Sequence, residues 1–157
     1  MDPGASTLLD GTWFATELPP SVRRELLRIA RLEEFGPGVT VVRPGEPCPA
    51  LGLIADGRIA LRLAVPGRDP RTIQTLEPGD IFGWSAVLEG TSATSLAVTL
   101  LPTRAFLLDR VPLAAAMAGD HELAAAVYRL VLGAVARRLQ ATRLQLLDLY
   151  RAEGEPW

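Results

Sequence analysis

The sequence predicts a mainly β domain with helices at both ends, built as a small barrel or jelly roll and not as a parallel sheet. Three observations carry this. The period of the apolar residues changes from helical to strand-like and back to helical along the chain. From Phe35 to about Asp109, short β-favouring runs are punctuated by Gly-Pro, Pro-Gly, Asp-Gly and Pro-Gly-Asp turns. Beyond Val111-Pro112 the helical period returns in the largest element of the chain. With 157 residues, 48% of them hydrophobic, there is material for one domain with an ordinary core and none for a second.

Met1 to Thr12 is small-residue-rich and reads as a flexible N-terminus, residues 13–150 as the single domain, and residues 151–157 as a tail. Trp13 to Leu18 followed by Pro19-Pro20-Ser21 predicts a turn into a helix from Val22 to about Leu32. Ser21 is its N-cap, and Leu18, Val22, Leu26 and Ile29 form its buried face. In the strand zone, residues 35–109, the candidates are Thr40–Arg43, Ala50–Ala55, Arg58–Ala64, Arg71–Leu76 and a last pair, Ser95–Leu101 and Arg104–Asp109. Asp56-Gly57 between two apolar runs predicts a hairpin, because the favoured two-residue turn needs φ > 0 at both central positions. Arg58, Ala60 and Arg62 alternate with Ile59, Leu61 and Leu63, the pattern of a strand wet on one side.

The C-terminal helices occupy about residues 113–150. A short helix from Leu113 to Met117 is closed by Gly119, and Asp120 caps a long helix running to about Tyr150. Along it Leu132, Val135, Leu139, Thr142, Leu146 and Leu149 recur at three- and four-residue intervals, flanked by a second stripe of Leu130, Ala134, Ala141 and Leu144. Two readings stand. Either one stripe packs on the barrel and the other on a second copy, giving a homodimer through the first set, or both form one broad core face in a monomer. Length favours the homodimer: roughly thirty residues at 1.5 Å each span about 45 Å, more than so small a barrel is wide.

Composition excludes several functions. Sixteen Arg and no Lys stand against eighteen acidic residues, a net charge of −2, so bulk charge draws the protein to no polyanion. The lack of Lys removes any Walker lysine, Schiff base or Ser-Lys dyad. One His and one Cys cannot build a His/Cys zinc site or a disulfide, which points to a reduced, cytoplasmic setting. The N-terminus lacks the basic start and apolar core of a secretory signal. No apolar run reaches the roughly eighteen residues that would span a bilayer, so a soluble protein without membrane contact is expected.

Enzyme chemistry finds no anchor. His121 lies beside Asp120 and Glu122 at the start of the long helix, Ser85 has no His to activate it, and Cys48 sits between two prolines without a cationic neighbour. Arg23-Arg24 and Arg137-Arg138 read as helix surface. No catalytic residue, no metal site and no required cofactor are predicted.

Three Gly-marked turns stand out: Val41-Val42-Arg43-Pro44-Gly45-Glu46-Pro47, Leu53-Ile54-Ala55-Asp56-Gly57-Arg58-Ile59 and Leu76-Glu77-Pro78-Gly79-Asp80-Ile81-Phe82-Gly83. Together with Ala136-Arg137-Arg138-Leu139-Gln140-Ala141-Thr142 they resemble, in order and spacing, the cyclic nucleotide-binding domain of the catabolite activator protein and FNR superfamily. The resemblance runs from about Trp13 to Tyr150. It implies a β-roll, that is, a double-stranded β-helix or jelly roll, with a short N-terminal helix and a long C-terminal dimer helix. It also implies a phosphate-binding cassette that opens with Phe-Gly-Glu and ends with an Arg followed by small residues. Here the segment from Phe82 to Ser95 keeps the length but places Trp84 at the Glu and Ala93 at the Arg. High-affinity cyclic AMP or cyclic GMP binding is therefore not expected.

The resemblance places a candidate ligand site at Phe82, Gly83, Trp84, Ser85, Ala86, Ala93, Thr94, Ser95, Thr142 and Arg143. Three readings of it stand: an anion or nucleotide held by backbone N–H groups of Gly83, Trp84 and Ser85 with the hydroxyls of Thr91, Ser92, Thr94 and Ser95; an aromatic ligand stacked on Trp84; or a cavity plugged by Trp84. Thr142 matches a family position that reaches the ligand's base, and Arg143, next to it, is the candidate for the missing positive charge. The family's transcription factors continue into a winged helix-turn-helix, for which residues 151–157 leave no room, so a stand-alone sensor without direct DNA binding is expected. In such a sensor, ligand shifts the cassette and a hinge near Gly119, and so the surface the long helix presents to a partner protein. The rival is a ligand-free dimeric scaffold. A sensor needs a hollow lined by Phe82, Trp84, Thr94 and Thr142, and a scaffold has it filled.

Overall fold

Two consecutive prolines start the first helix. In the computed structural model, which describes residues 18–152, α1 spans Pro20–Ile29. Pro20 takes the first helical position, where no N–H is needed, and Pro19 occupies the cap. Ser21 is therefore not the N-cap but a residue of the first turn. Leu18, Val22 and Leu26 are buried and Ile29 packs beside them. The helix also stops short of Leu32: Ala30 is extended, and β1 (Arg31–Phe35) follows at once. Five ladder pairs to the last strand, from Arg31↔Leu107 to Phe35↔Thr103, overrule the helical pattern there. The predicted N-terminal arm, Trp13 and the end of the tail lie outside the described residues.

The remaining strands are β2 (Thr40–Val42), β3 (Ala50–Asp56), β4 (Ile59–Val65), β5 (Arg68–Leu76), β6 (Ile81–Phe82), β7 (Leu96–Thr99) and β8 (Thr103–Asp109). They form two antiparallel four-stranded sheets, β1-β8-β3-β6 and β2-β7-β4-β5. The chain changes sheet at every connection except β4–β5, which makes the expected β-roll. Asp56-Gly57 accordingly does not make a hairpin, since β3 and β4 belong to different sheets. Gly57 takes φ 97°, no non-glycine residue among the described residues has positive φ, and a Cβ on Gly57 would meet the Pro102 carbonyl oxygen at 2.5 Å. The link is a corner pressed onto the β7–β8 connection, where Leu100 N–H donates to the Arg58 carbonyl at 2.8 Å. The simple alternation expected of β4 is also broken. Ala60 is buried between Ile59 and Leu61, and beyond the bulge after Leu61 the side chain of Leu63 is exposed.

α2 runs from Arg110 to Gly119, starting earlier than predicted because Pro112 falls in the first turn and costs no hydrogen bond there. α3 spans His121–Ala152. Asp120 caps it as expected, its Oδ1 accepting from the backbone N–H of Glu122 at 2.9 Å and Leu123 at 3.1 Å.

The core has two parts. One lies between the two sheets, around Ile54, Ile59, Leu76 and Ala105. The other joins the three helices to the first sheet through Val22, Leu51, Leu113, Leu123 and Val127. Only the first half of α3 takes part. Leu130 and Ala134 of the second stripe are buried, whereas Leu132, Leu139, Leu144, Leu146 and Leu149 are exposed. The single broad core face is thereby excluded for this helix.

Candidate ligand-binding site

The turn after β6 builds the site. Gly83 has φ 68°, and a Cβ on it would strike the Ala50 carbonyl oxygen at 2.5 Å, so only glycine brings the chain this close to β3. A single tight turn follows at Trp84–Ala86, with Ala86 N–H donating to the Gly83 carbonyl at 3.0 Å and Val87 N–H to that of Trp84 at 3.1 Å. Thr91 closes the loop by donating its hydroxyl to the Leu88 carbonyl at 2.9 Å. Ala93 is then pinned to the Gly45 turn in both directions, at 2.8 and 3.0 Å, which sets Thr94 and Ser95 on the wall.

The result is an open hollow of about 250 Å³ between the cassette, the inner face of the second sheet and α3. Of the predicted site residues, Phe82, Gly83, Trp84, Ser85, Ala93, Thr94, Ser95 and Thr142 line it. Ala86 is buried outside its wall, and Arg143 is exposed and does not line it. Thr91, committed to the loop, and Ser92 are likewise not in the wall. Trp84 is half-buried against the core beneath and does not fill the hollow. Cys48 lines it as a buried thiol.

The cation in the wall is Arg138, not Arg143. Arg138 projects from α3 with Val135, Leu139 and Thr142, its Nη2 donating to the carbonyl of Ile81. It is half-buried, so its assignment to open helix surface does not hold. Burial pushes its guanidinium below the ordinary arginine value; Asp80 opposes this and Arg137 adds to it. The signal was present in the sequence: 135, 138, 139 and 142 share one helix face. Further along, Gln145 Nε2 donates to the Ile73 carbonyl at 2.8 Å and ties α3 to β5.

The second notable group is Ser85. It is 3% exposed, and its hydroxyl has no hydrogen-bond partner. Among the described residues no group of His, Cys, Asp and Glu is placed to hold a metal ion, and no helix is long and apolar enough to cross a membrane. His121 is exposed at the start of α3, far along the helix from the hollow's residues.

Comparison with known proteins agrees with this architecture. The family model for the cyclic nucleotide-binding domain matches residues 32–120, more than half of the chain. The chain belongs to this family of regulatory ligand-binding domains. It is 29% identical over 130 residues to a CRP-like cAMP-activated global transcriptional regulator of Mycobacterium tuberculosis, covering 83% of this chain and 56% of that protein. The chain thus spans about half the length of the curated relatives it matches. Among solved structures, a cyclic nucleotide-binding domain from Methylobacillus flagellatus superposes with a TM-score of 0.76 at 21% identity, covering 83% of this chain and 74% of that one. The catabolite activator protein of Thermus thermophilus gives 0.68 at 25% identity, covering 91% and 62%.

Proposed function

We propose that this domain is a non-catalytic small-molecule sensor, dimeric through α3, whose ligand is not a tightly held cyclic AMP or cyclic GMP. The observation that carries the reading is the open hollow, which has Phe82, Trp84, Thr94 and Thr142 in its wall and is bounded on one side by α3. A scaffold that keeps the fold only for its interface has no use for an unfilled cavity beside its helix. The family and the cAMP-activated relative support a nucleotide-like ligand, but Trp84 and Ala93 remove the two charged groups that the resemblance implies. Each lost charge-assisted contact costs about 1.5–3 kcal/mol, roughly ten- to a hundredfold in affinity.

The dimer rests on α3. Leu132, Leu139, Thr142, Leu146 and Leu149 keep a heptad spacing and are exposed, with Val135 half-buried among them and Tyr128, also exposed, one step earlier. Val135, Leu139 and Thr142 belong both to this seam and to the wall of the hollow. An occupant therefore bears directly on the helix face offered to the second copy, which is the differential contact a population shift requires.

Thermal unfolding against cyclic mononucleotides, cyclic dinucleotides, nucleotides, haem and small aromatic acids tests this. At a hundred times Kd a ligand adds about 2.7 kcal/mol and raises the midpoint by several degrees. The expected result is a shift with one class of compound that Trp84→Ala or Thr142→Ala abolishes. No shift across the panel, with the dimer still seen by sedimentation, transfers the assignment to the scaffold.

A further inference from the structure

Two groups in the hollow narrow the chemistry of its occupant. Arg138 is the charged residue of the wall, which contains no Asp or Glu. Its guanidinium has five donors, of which one makes a described protein hydrogen bond, to the Ile81 carbonyl. It forms no ion pair with any described carboxylate. Asp80 favours its charge from the β5–β6 turn, but that carboxylate is engaged by the Glu77 N–H at 2.9 Å. Ser85, almost fully buried, also lines this cavity, and its hydroxyl has no partner. A buried hydroxyl without a partner is destabilising unless something satisfies it. A half-buried cation with spare donors and an unpartnered hydroxyl in one wall are together a recognition set for an anion.

We propose that the occupant is a compact organic anion with a flat apolar body, its carboxylate or phosphate oxygens held by Arg138 and Ser85. The inference rests on the sensor reading above and moves the anion contact from the cassette to α3. The rest of the wall fits the body of such a ligand: Val42, Leu61, Ile73, Phe82 and Trp84 supply apolar and aromatic surface. The open hollow of about 250 Å³ has room for a body of one or two rings with an acidic group. Because Arg138 sits one helical turn from Thr142 and next to Leu139, the anion's charge is read by the helix that carries the seam.

The test uses matched pairs on the full chain, followed by thermal shift and calorimetry: indole-3-acetate against indole-3-acetamide, and benzyl phosphate against benzyl alcohol. The acids are expected to bind at least about tenfold more tightly than their neutral partners, and the pairs separate carboxylate from phosphate preference. Arg138→Gln removes that advantage and leaves the neutral compounds unchanged, while Arg138→Lys restores part of it. Ser85→Ala raises the unfolding midpoint of the free protein yet weakens acid binding, a combination that a structural hydroxyl cannot produce. Should Arg138→Gln fail to fold, the Ser85→Ala pair of readings decides. Neutral compounds binding as tightly as the acids, or Ser85→Ala lowering the free midpoint, overturns the anion while the sensor stands. No binding by any of these compounds or by the wider panel overturns both.

Discussion

Thr99 and Ser85 are both almost completely buried hydroxyls, and their surroundings differ in kind. Thr99 donates to the Gly36 carbonyl at 2.7 Å and accepts from the Val39 N–H at 2.8 Å, stapling the β1–β2 turn to β7. Thr99→Val strands both partners and is expected to cost about 1–3 kcal/mol, read as a lower urea midpoint at unchanged m value. Ser85 has nothing to strand, which is why its removal acts in the opposite direction. Gly52 gives a second test at this scale. A Cβ there would run into the ring of Phe82, which lies flat on the bare backbone. Gly52→Ala is expected to drive that ring into the hollow, and the ligand-induced rise in midpoint should fall or vanish while the circular dichroism spectrum is kept. Neither role was legible in the sequence, because both depend on what a distant strand places opposite.

The long helix is the element whose sequence was most informative. Its cap, its length and its two stripes are local properties, set by Asp120 and by a three- and four-residue spacing that needs no tertiary context. Placement on the roll was less legible, and Arg138 shows why. A charged residue between apolar neighbours reads as solvent-facing unless the register of the helix on the sheet is known. The first helix failed differently: Arg31 and Leu32 continue the helical pattern, and only the ladder to β8 makes them strand. The outward stripe carries its own prediction. Leu132→Glu with Leu146→Glu leaves the core and the wall untouched, since both residues are exposed and neither lines the hollow. Sedimentation should then report a monomer with native helix content. A dimer that survives both charges rules out this seam.

At the scale of the molecule, the resemblance stated from three Gly-marked turns carried the fold class, while the sheet to which each strand belongs was hidden. Turn residues announce that the chain reverses, not whether it returns to the same sheet. Asp56-Gly57 has the composition of a hairpin and acts as a corner because Pro102 and Thr103 stand against it. The hollow is a product of this winding. It opens where the second sheet faces the cassette, and α3 bounds it on one side, so one helix carries both part of its wall and the seam.

The strand order β1-β8-β3-β6 also governs how the chain must assemble. β8 lies between β1 and β3, with Arg31 opposite Leu107 on one side and Gly52 opposite Leu107 on the other, so the last strand made is the one that joins the first to the rest. Until Thr103–Asp109 has left the ribosome, β1 has no ladder and β3 presents an open edge. Such late, long-range closure slows folding relative to hairpin-built sheets of the same size, and it makes the nascent roll dependent on its final strand for protection against edge-to-edge association.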